Sequence, residues 1–216
     1  MFYDDPKRHG LRYNPFKALV APRPIAWVSS VSADGVRNLA PFSFFNAVAE
    51  FPPTILFAPN NPRPGGGRKD TLANIEATNE FVVNFATWDL REKMNVTSAH
   101  LPPEADEFEA AGLTPEPCHH VRVPRVKESP VSLECVFMHR VRLPSTNPKI
   151  ENNAVFGRVV GIHIADALIV DGRIDMTRYR PIARLGYMDY SVVDNVFSME
   201  RPDDNLDMIE ARKGAG

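Results

Sequence analysis

The sequence predicts a mainly β protein: an antiparallel sheet closed into a barrel, with a few short flanking helices. Three observations point there. Short apolar runs rich in β-branched and aromatic residues recur along the chain, each bounded by Gly, Pro or Asn. Twenty prolines in 216 residues oppose long uninterrupted helices. Segments with helical spacing are few, and none is long.

The elements follow in order. PIAWVSSV (24–31) is a β-branched and aromatic strand that ends at the turn signal Ala33-Asp34-Gly35, so it pairs as a hairpin with the segment from Asn38 onward. TILFA (54–58) and EFVVNFA (80–86) are short strands, the second with Asn84 set among apolar residues. VSLECVFMHRVRL (131–143) alternates, with Leu133, Cys135, Phe137 and His139 on one face. AVFGRVVGIHI (154–164) is long, and Gly157 and Gly161 mark bulges or close backbone approach. Helices are expected from Asp70, with Asp70 or Thr71 as N-cap, over 90–99, and over 106–112 with Gly112 as the stop.

Composition excludes several classes. A chain that is 44% hydrophobic and 24% charged folds rather than staying disordered. A net charge of -2 gives no electrostatic case for nucleic acid or an acidic membrane surface. No apolar run reaches membrane-spanning length, and MFYDDPKRHG lacks the pattern of a secretory signal, so a cytoplasmic location is expected. Cys118 and Cys135 form no CxxC pair and read as reduced thiols. One domain is expected across 1–216, with extensions at about 1–20 and about 200–216.

Two stretches suggest a ligand. In GGGRKDTLANI (65–75), glycines, two cations and a helix N-terminus with the Thr71 hydroxyl converge, which is the physics of a phosphate site. It is not a Walker A loop, because Asp70 separates Lys69 from Thr71. A loop with solvated cations is the competing reading. NLAPFSFFNAV (38–48) combines aromatic bulk with Asn38, Ser43 and Asn46, and Pro41 ends the strand, bends it or confines it to an edge. Its polar groups satisfy either local turns or a planar ligand. His119, His120, Cys118, Cys135 and His139 match no tetrahedral zinc spacing, His163 reads as a hydrogen-bonded structural residue, and the carboxylates of EADEFEAAG read as a solvated helix face. No hydrolase, metalloprotease or dinucleotide-fold motif is present.

Taken together, RPIAWVSSVSADGVRNLAPFSFFNAV (23–48), RKDTLANI (68–75), EFVVNF (80–85), MNVTSA (94–99), DEFEAAGLTP (106–115), ESPVSLEC (128–135), GRVVGIHI (157–164) and PIARLGYMDYS (181–191) resemble the flavin reductase-like family of FMN-binding split barrels. The resemblance implies a Greek-key antiparallel split barrel that dimerises and holds FMN near the subunit interface. It implies that Ser29 and Ser30 lie along the ribityl-phosphate, and that Asn38 and the turn from Ala40 through Pro41, Ser43, Phe44 and Phe45 to Asn46 line the isoalloxazine. Lys69 and Thr71 would hold the phosphate, with Asp70 also among the cofactor-binding residues and Arg184 and Tyr187 near the flavin. It further implies an NAD(P)H-dependent flavin reductase, with a monooxygenase as the partner that takes reduced flavin. A non-catalytic FMN-binding protein or electron carrier is the alternative. Two positions depart from the family pattern. Asn152 stands where small free-standing reductases often carry a His associated with the nicotinamide, and Tyr187 stands where relatives often show a second glycine.

Overall fold

The computed structural model of the protein describes residues 2–5, 8–60, 69–102 and 104–199. Seven strands form one antiparallel sheet: β1 (Ala26–Val31), β2 (Arg37–Phe42), β3 (Phe45–Glu50), β4 (Pro53–Phe57), β5 (Glu80–Asn84), β6 (Val131–Leu143) and β7 (Asn152–Ile164). Their order is β2-β1-β5-β6-β7-β4-β3. β2 and β3 are therefore the two edges, yet only Ser43 and Phe44 separate them in the chain. The sheet curls until its edges meet at that turn, and no ladder joins β2 to β3 among the described residues. The barrel is split there.

The apolar runs explain where the core sits. β1 is buried on both faces, which is why its sequence, AWVSSV, shows no alternation of apolar and charged residues. Ala26 and Val28 point into the barrel with Phe42, Phe45, Phe57 and Phe81, while Trp27 faces a second cluster under Leu90, Met94 and Phe108. The Trp27 indole donates to Thr97 Oγ1 over 2.8 Å, so its one polar atom is satisfied where it is fully buried. In β6, Leu133, Cys135 and Phe137 meet the barrel interior as the alternation predicts. The register shifts in the β6–β7 ladder fall next to Gly157 and Gly161, the extra residues being Met138 in β6, across from Gly157, and Val160 in β7, beside Gly161. At Gly157 a Cβ would lie 2.3 Å from the Phe81 ring.

Helix α1 (Phe16–Leu19) lies in the N-terminal extension. Helix α2 (Asp70–Thr78) closes the barrel with Leu72 and Ile75. Its N-cap is Lys69 rather than Asp70 or Thr71, and the Lys69 side chain makes no capping bond to the first turn. Asn79 ends it in the left-handed region, at φ 61°. Helix α3 (Arg91–Val96) is shorter than the 90–99 expectation. Helix α4 (Glu107–Ala110) starts at Asp106, whose carboxylate accepts from the Phe108 amide, and Gly112 follows it at φ 59°.

Of the three readings of Pro41, the edge is the one found: Pro41 sits inside β2 opposite Trp27, and β2 runs on to Phe42. Because β2 is an edge, the missing N–H falls on the side with no partner. A small sheet of Arg23–Pro24, Ile182–Arg184 and Tyr190–Val192, which periodicity did not reveal, packs beside the barrel. The proposed extension at about 200–216 lies outside the described residues.

Candidate functional site

Strand pairing places Asn38 directly opposite Ser30, and α2 lays its first turn across both. The Asn38 amide donates to Thr71 Oγ1 over 2.9 Å and to Ser30 Oγ over 3.3 Å, and Asn74 Nδ2 donates to Ser30 Oγ over 3.1 Å. These four polar side chains are all buried. Buried groups of this kind persist only when hydrogen-bonded, and here they are bonded largely to one another. The cluster forms the wall of a recess lined also by Ala40, Pro41, Lys69, Asp70 and His100.

The electrostatics of the recess are mixed. Lys69 and the positive end of α2 face Asp70 and Glu107. Glu107 is buried, and its Oε2 accepts from the Leu39 amide over 3.0 Å. Burial raises its pKa first of all, and the neighbouring Asp70 and Asp106 charges act in the same direction. The expectation that the EADEFEAAG carboxylates form a solvated face therefore fails at Glu107, and Asp106 is engaged by Arg37 over 2.6 Å.

Of the residues singled out from the sequence, Asn38, Ala40, Pro41, Lys69, Asp70 and Thr71 line this recess and Ser30 stands behind it. Ser29 does not join them. Neighbours on a strand face opposite ways, and Ser29 donates to the Pro124 carbonyl over 2.7 Å and accepts from Asn84 over 3.2 Å. Phe45 points into the barrel core. The Asn46 side chain accepts from the Ala47 amide over 3.0 Å, the local turn-type bond. Ser43 is in the turn, and Phe44 lies under Lys17 and Arg23, each 5.9 Å from its ring centroid. Arg184 and Tyr187 belong to the small sheet and the turn after it, and do not line the recess. Gly65–Gly67 and Arg68 lie outside the described residues.

Sequence reasoning missed Asn74, Ser98, His100 and Glu107. Asn74 was findable, because it follows Thr71 by three positions and so shares its helix face. Ser98 and His100 come from the loop after α3, where no local pattern predicts convergence.

A second polar cluster lies on the far side of β6. Glu134 accepts from the amides of His119 (2.9 Å), His120 (2.6 Å) and Val121 (3.1 Å) and pairs with His163 Nε2 at 2.6 Å. Burial opposes its ionisation, but the His119 and His120 amides and His163 outweigh it and hold the carboxyl at about 2. His163 is thus the hydrogen-bonded structural residue expected. Cys118 Sγ, Glu134 and His163 have ligand atoms within 4.8 Å of one another. The carboxylate is already taken up by its four bonds, and burial, then the Glu134 charge, pushes the Cys118 thiol up to about 12. Both cysteines are free. Among the described residues, no helix is long and apolar enough to cross a membrane.

Comparison with known proteins agrees with this architecture. The flavin reductase like domain matches residues 19–180. An uncharacterised protein of Aquifex aeolicus is 42% identical over 175 residues, which are 81% of this chain and 86% of that protein. The structure of nitrilotriacetate monooxygenase component B from Bacillus cereus superposes with a TM-score of 0.82 at 36% identity, covering 92% of this chain and 98% of that one. That of 2-nitrobenzoate 2-nitroreductase NbaA from Pseudomonas fluorescens superposes with a TM-score of 0.75 at 29% identity, covering 88% and 90%.

Proposed function

Because the chain belongs to the flavin reductase-like domain family, we propose that it is an FMN-dependent oxidoreductase in which NAD(P)H supplies a hydride to the flavin. The observation that carries the placement of the cofactor is the buried cluster of Ser30, Asn38, Thr71 and Asn74 at the start of α2. The residues present fit the phosphate end of the flavin. Thr71 Oγ1 accepts from Asn38, so its own hydrogen is left to donate. Lys69 adds an ammonium, and the helix end adds partial positive charge.

When bound, the isoalloxazine supplies the redox chemistry. The chain's part is to bind and orient. Lys69 and Thr71 hold the phosphate, Ser30 and Asn38 stiffen the wall along the ribityl chain, and Ala40 and Pro41 offer a flat apolar edge. Hydride transfer is helped chiefly by positioning, so a site without an activated nucleophile or acid–base pair suits it.

Two further readings belong to the same proposal. The chain acts as a homodimer: β3 is an edge strand whose residues from Asn46 to Glu50 are all exposed, and Phe51 beside it is 85% exposed, a surface that a second copy would cover. The likeness to a monooxygenase component B supports delivery of reduced flavin to a monooxygenase. The test is anaerobic mixing of the FMN-loaded protein with NADH or NADPH. Bleaching of the flavin band at about 450 nm supports the reductase reading, and an unbleached yellow protein supports the electron-carrier alternative instead.

A further inference from the structure

A cleft of about 560 Å³ opens between α3 and the small sheet. Its floor is apolar, made of Met94, Ile182 and Val192. Its walls repeat one motif twice. Arg91 lies over the Trp88 ring with its guanidinium carbon 4.0 Å from the centroid, and Arg184 lies over the Tyr190 ring at 4.4 Å. Stacking fixes the plane of each guanidinium, and with five N–H donors each has more of them than its neutral protein acceptors use.

The charge of these walls is poorly balanced. Arg184 donates to the Tyr190 hydroxyl and the Tyr187 carbonyl, and among the described residues it meets only neutral acceptors. Arg91 donates to the Trp88 carbonyl over 2.7 Å, and its carboxylate, Glu92 at 3.5 Å, is 79% exposed at the mouth. A third guanidinium, Arg180, reaches 5.8 Å from the Trp88 centroid and has its own carboxylate, Asp194, at 4.0 Å. Behind the wall, Arg23 is buried among the carbonyls of Lys17, Val20 and Leu185. Burial first, and then the Arg184 charge, lowers its pKa, as expected where positive charge lacks an anion.

An apolar floor between two oriented guanidiniums selects a ligand that is flat, apolar over most of its area and anionic at one edge. We propose that this cleft binds an aromatic carboxylate of one or two fused rings, with its ring on Met94, Ile182 and Val192 and its carboxylate between Arg91 and Arg184. Inorganic phosphate satisfies the guanidiniums but leaves the floor wet, and a neutral ring does the reverse. The assignment does not depend on the flavin reading.

Isothermal titration calorimetry with 2-naphthoate tests it, run on the full chain with and without excess FMN. Saturable binding at one site is expected, unchanged by FMN. The isosteric 2-naphthamide should bind at least about tenfold more weakly, and phosphate should give no saturable heat. Arg91→Gln and Arg184→Gln should each cost about tenfold or more, with melting curves recorded to verify folding; Arg91 is 39% exposed, so its variant does not endanger the fold. The proposal is overturned by no 2-naphthoate binding up to about 5 mM, by heats that vanish with FMN, by equal binding of the amide or of phosphate, or by unchanged affinity in Arg91→Gln.

Discussion

Asn38 donates to Thr71 across 2.9 Å, tying the edge strand β2 to the first turn of α2 where both side chains are buried. The bond fixes a helix start against a strand that has a partner on only one side. Asn38→Ala leaves the Thr71 and Ser30 hydroxyls short of a donor, and should lower stability by about 1–3 kcal/mol in urea melts. A loss within error of zero would mean that the bond does not order the recess.

Gly157 marks a close approach in the barrel. A Cβ there would stand 2.3 Å from Cζ of Phe81, whose ring is fully buried and packed on Phe57. Gly157→Ala should cost about 1–3 kcal/mol by overpacking, and Phe81→Leu in the same chain should return part of it. The double-mutant cycle from thermal melts measures this coupling, and strict additivity would count against the contact.

Glu134 should govern acid stability. Its carboxyl is held at about 2 in the folded protein, below the ordinary 4.5. A depressed folded pKa contributes stability that is fully present above the unfolded value and is lost as pH falls through the folded one. The contribution, on the order of 3 kcal/mol, should therefore disappear between about pH 4.5 and pH 2. Glu134→Gln should be less stable than the parent at pH 6, and the gap should narrow across that window in denaturant melts. A gap independent of pH would show that the charge is not what the loop amides bind.

Tyr187 holds φ 56°, a left-handed conformation that favours glycine. Tyr187→Gly and Tyr187→Ala lose the same ring contact with Tyr13, 5.6 Å between centroids, but only the glycine relieves the backbone. The glycine variant should be the more stable of the two by about 1 kcal/mol, read as the difference between their melting curves.

The parts of this structure legible in the sequence are those set by local physics. The hairpin from β1 to β2 followed from Ala33-Asp34-Gly35, and the β6–β7 bulges followed from Gly157 and Gly161. The gathering of Asn38, Lys69 and Thr71 was expected from the family resemblance, and the helix-terminus physics of 69–71 agreed with it. What stayed hidden depends on long-range placement. Nothing near Glu107 in the chain announces that it will accept the Leu39 amide, and nothing near Glu134 announces the loop at 119–121. Around Pro41 the sequence left a strand end, a bend and an edge open, because edge position is a property of the whole sheet. Ser29 and Ser30 look equivalent in sequence, but the period of two sends them into separate networks.

The central claim is that the flavin phosphate sits at Lys69 and Thr71, against the Asn38 wall. The direct measurement is the affinity of Lys69→Ala and Thr71→Ala for FMN and for riboflavin, which lacks the phosphate, by fluorescence titration. Each substitution should weaken FMN by about tenfold or more and leave riboflavin within about twofold. Lys69→Ala is the cleaner arm, because it leaves the bond from Asn38 to Thr71 in place. Equal loss for the two ligands, or none for FMN, would contradict the assignment.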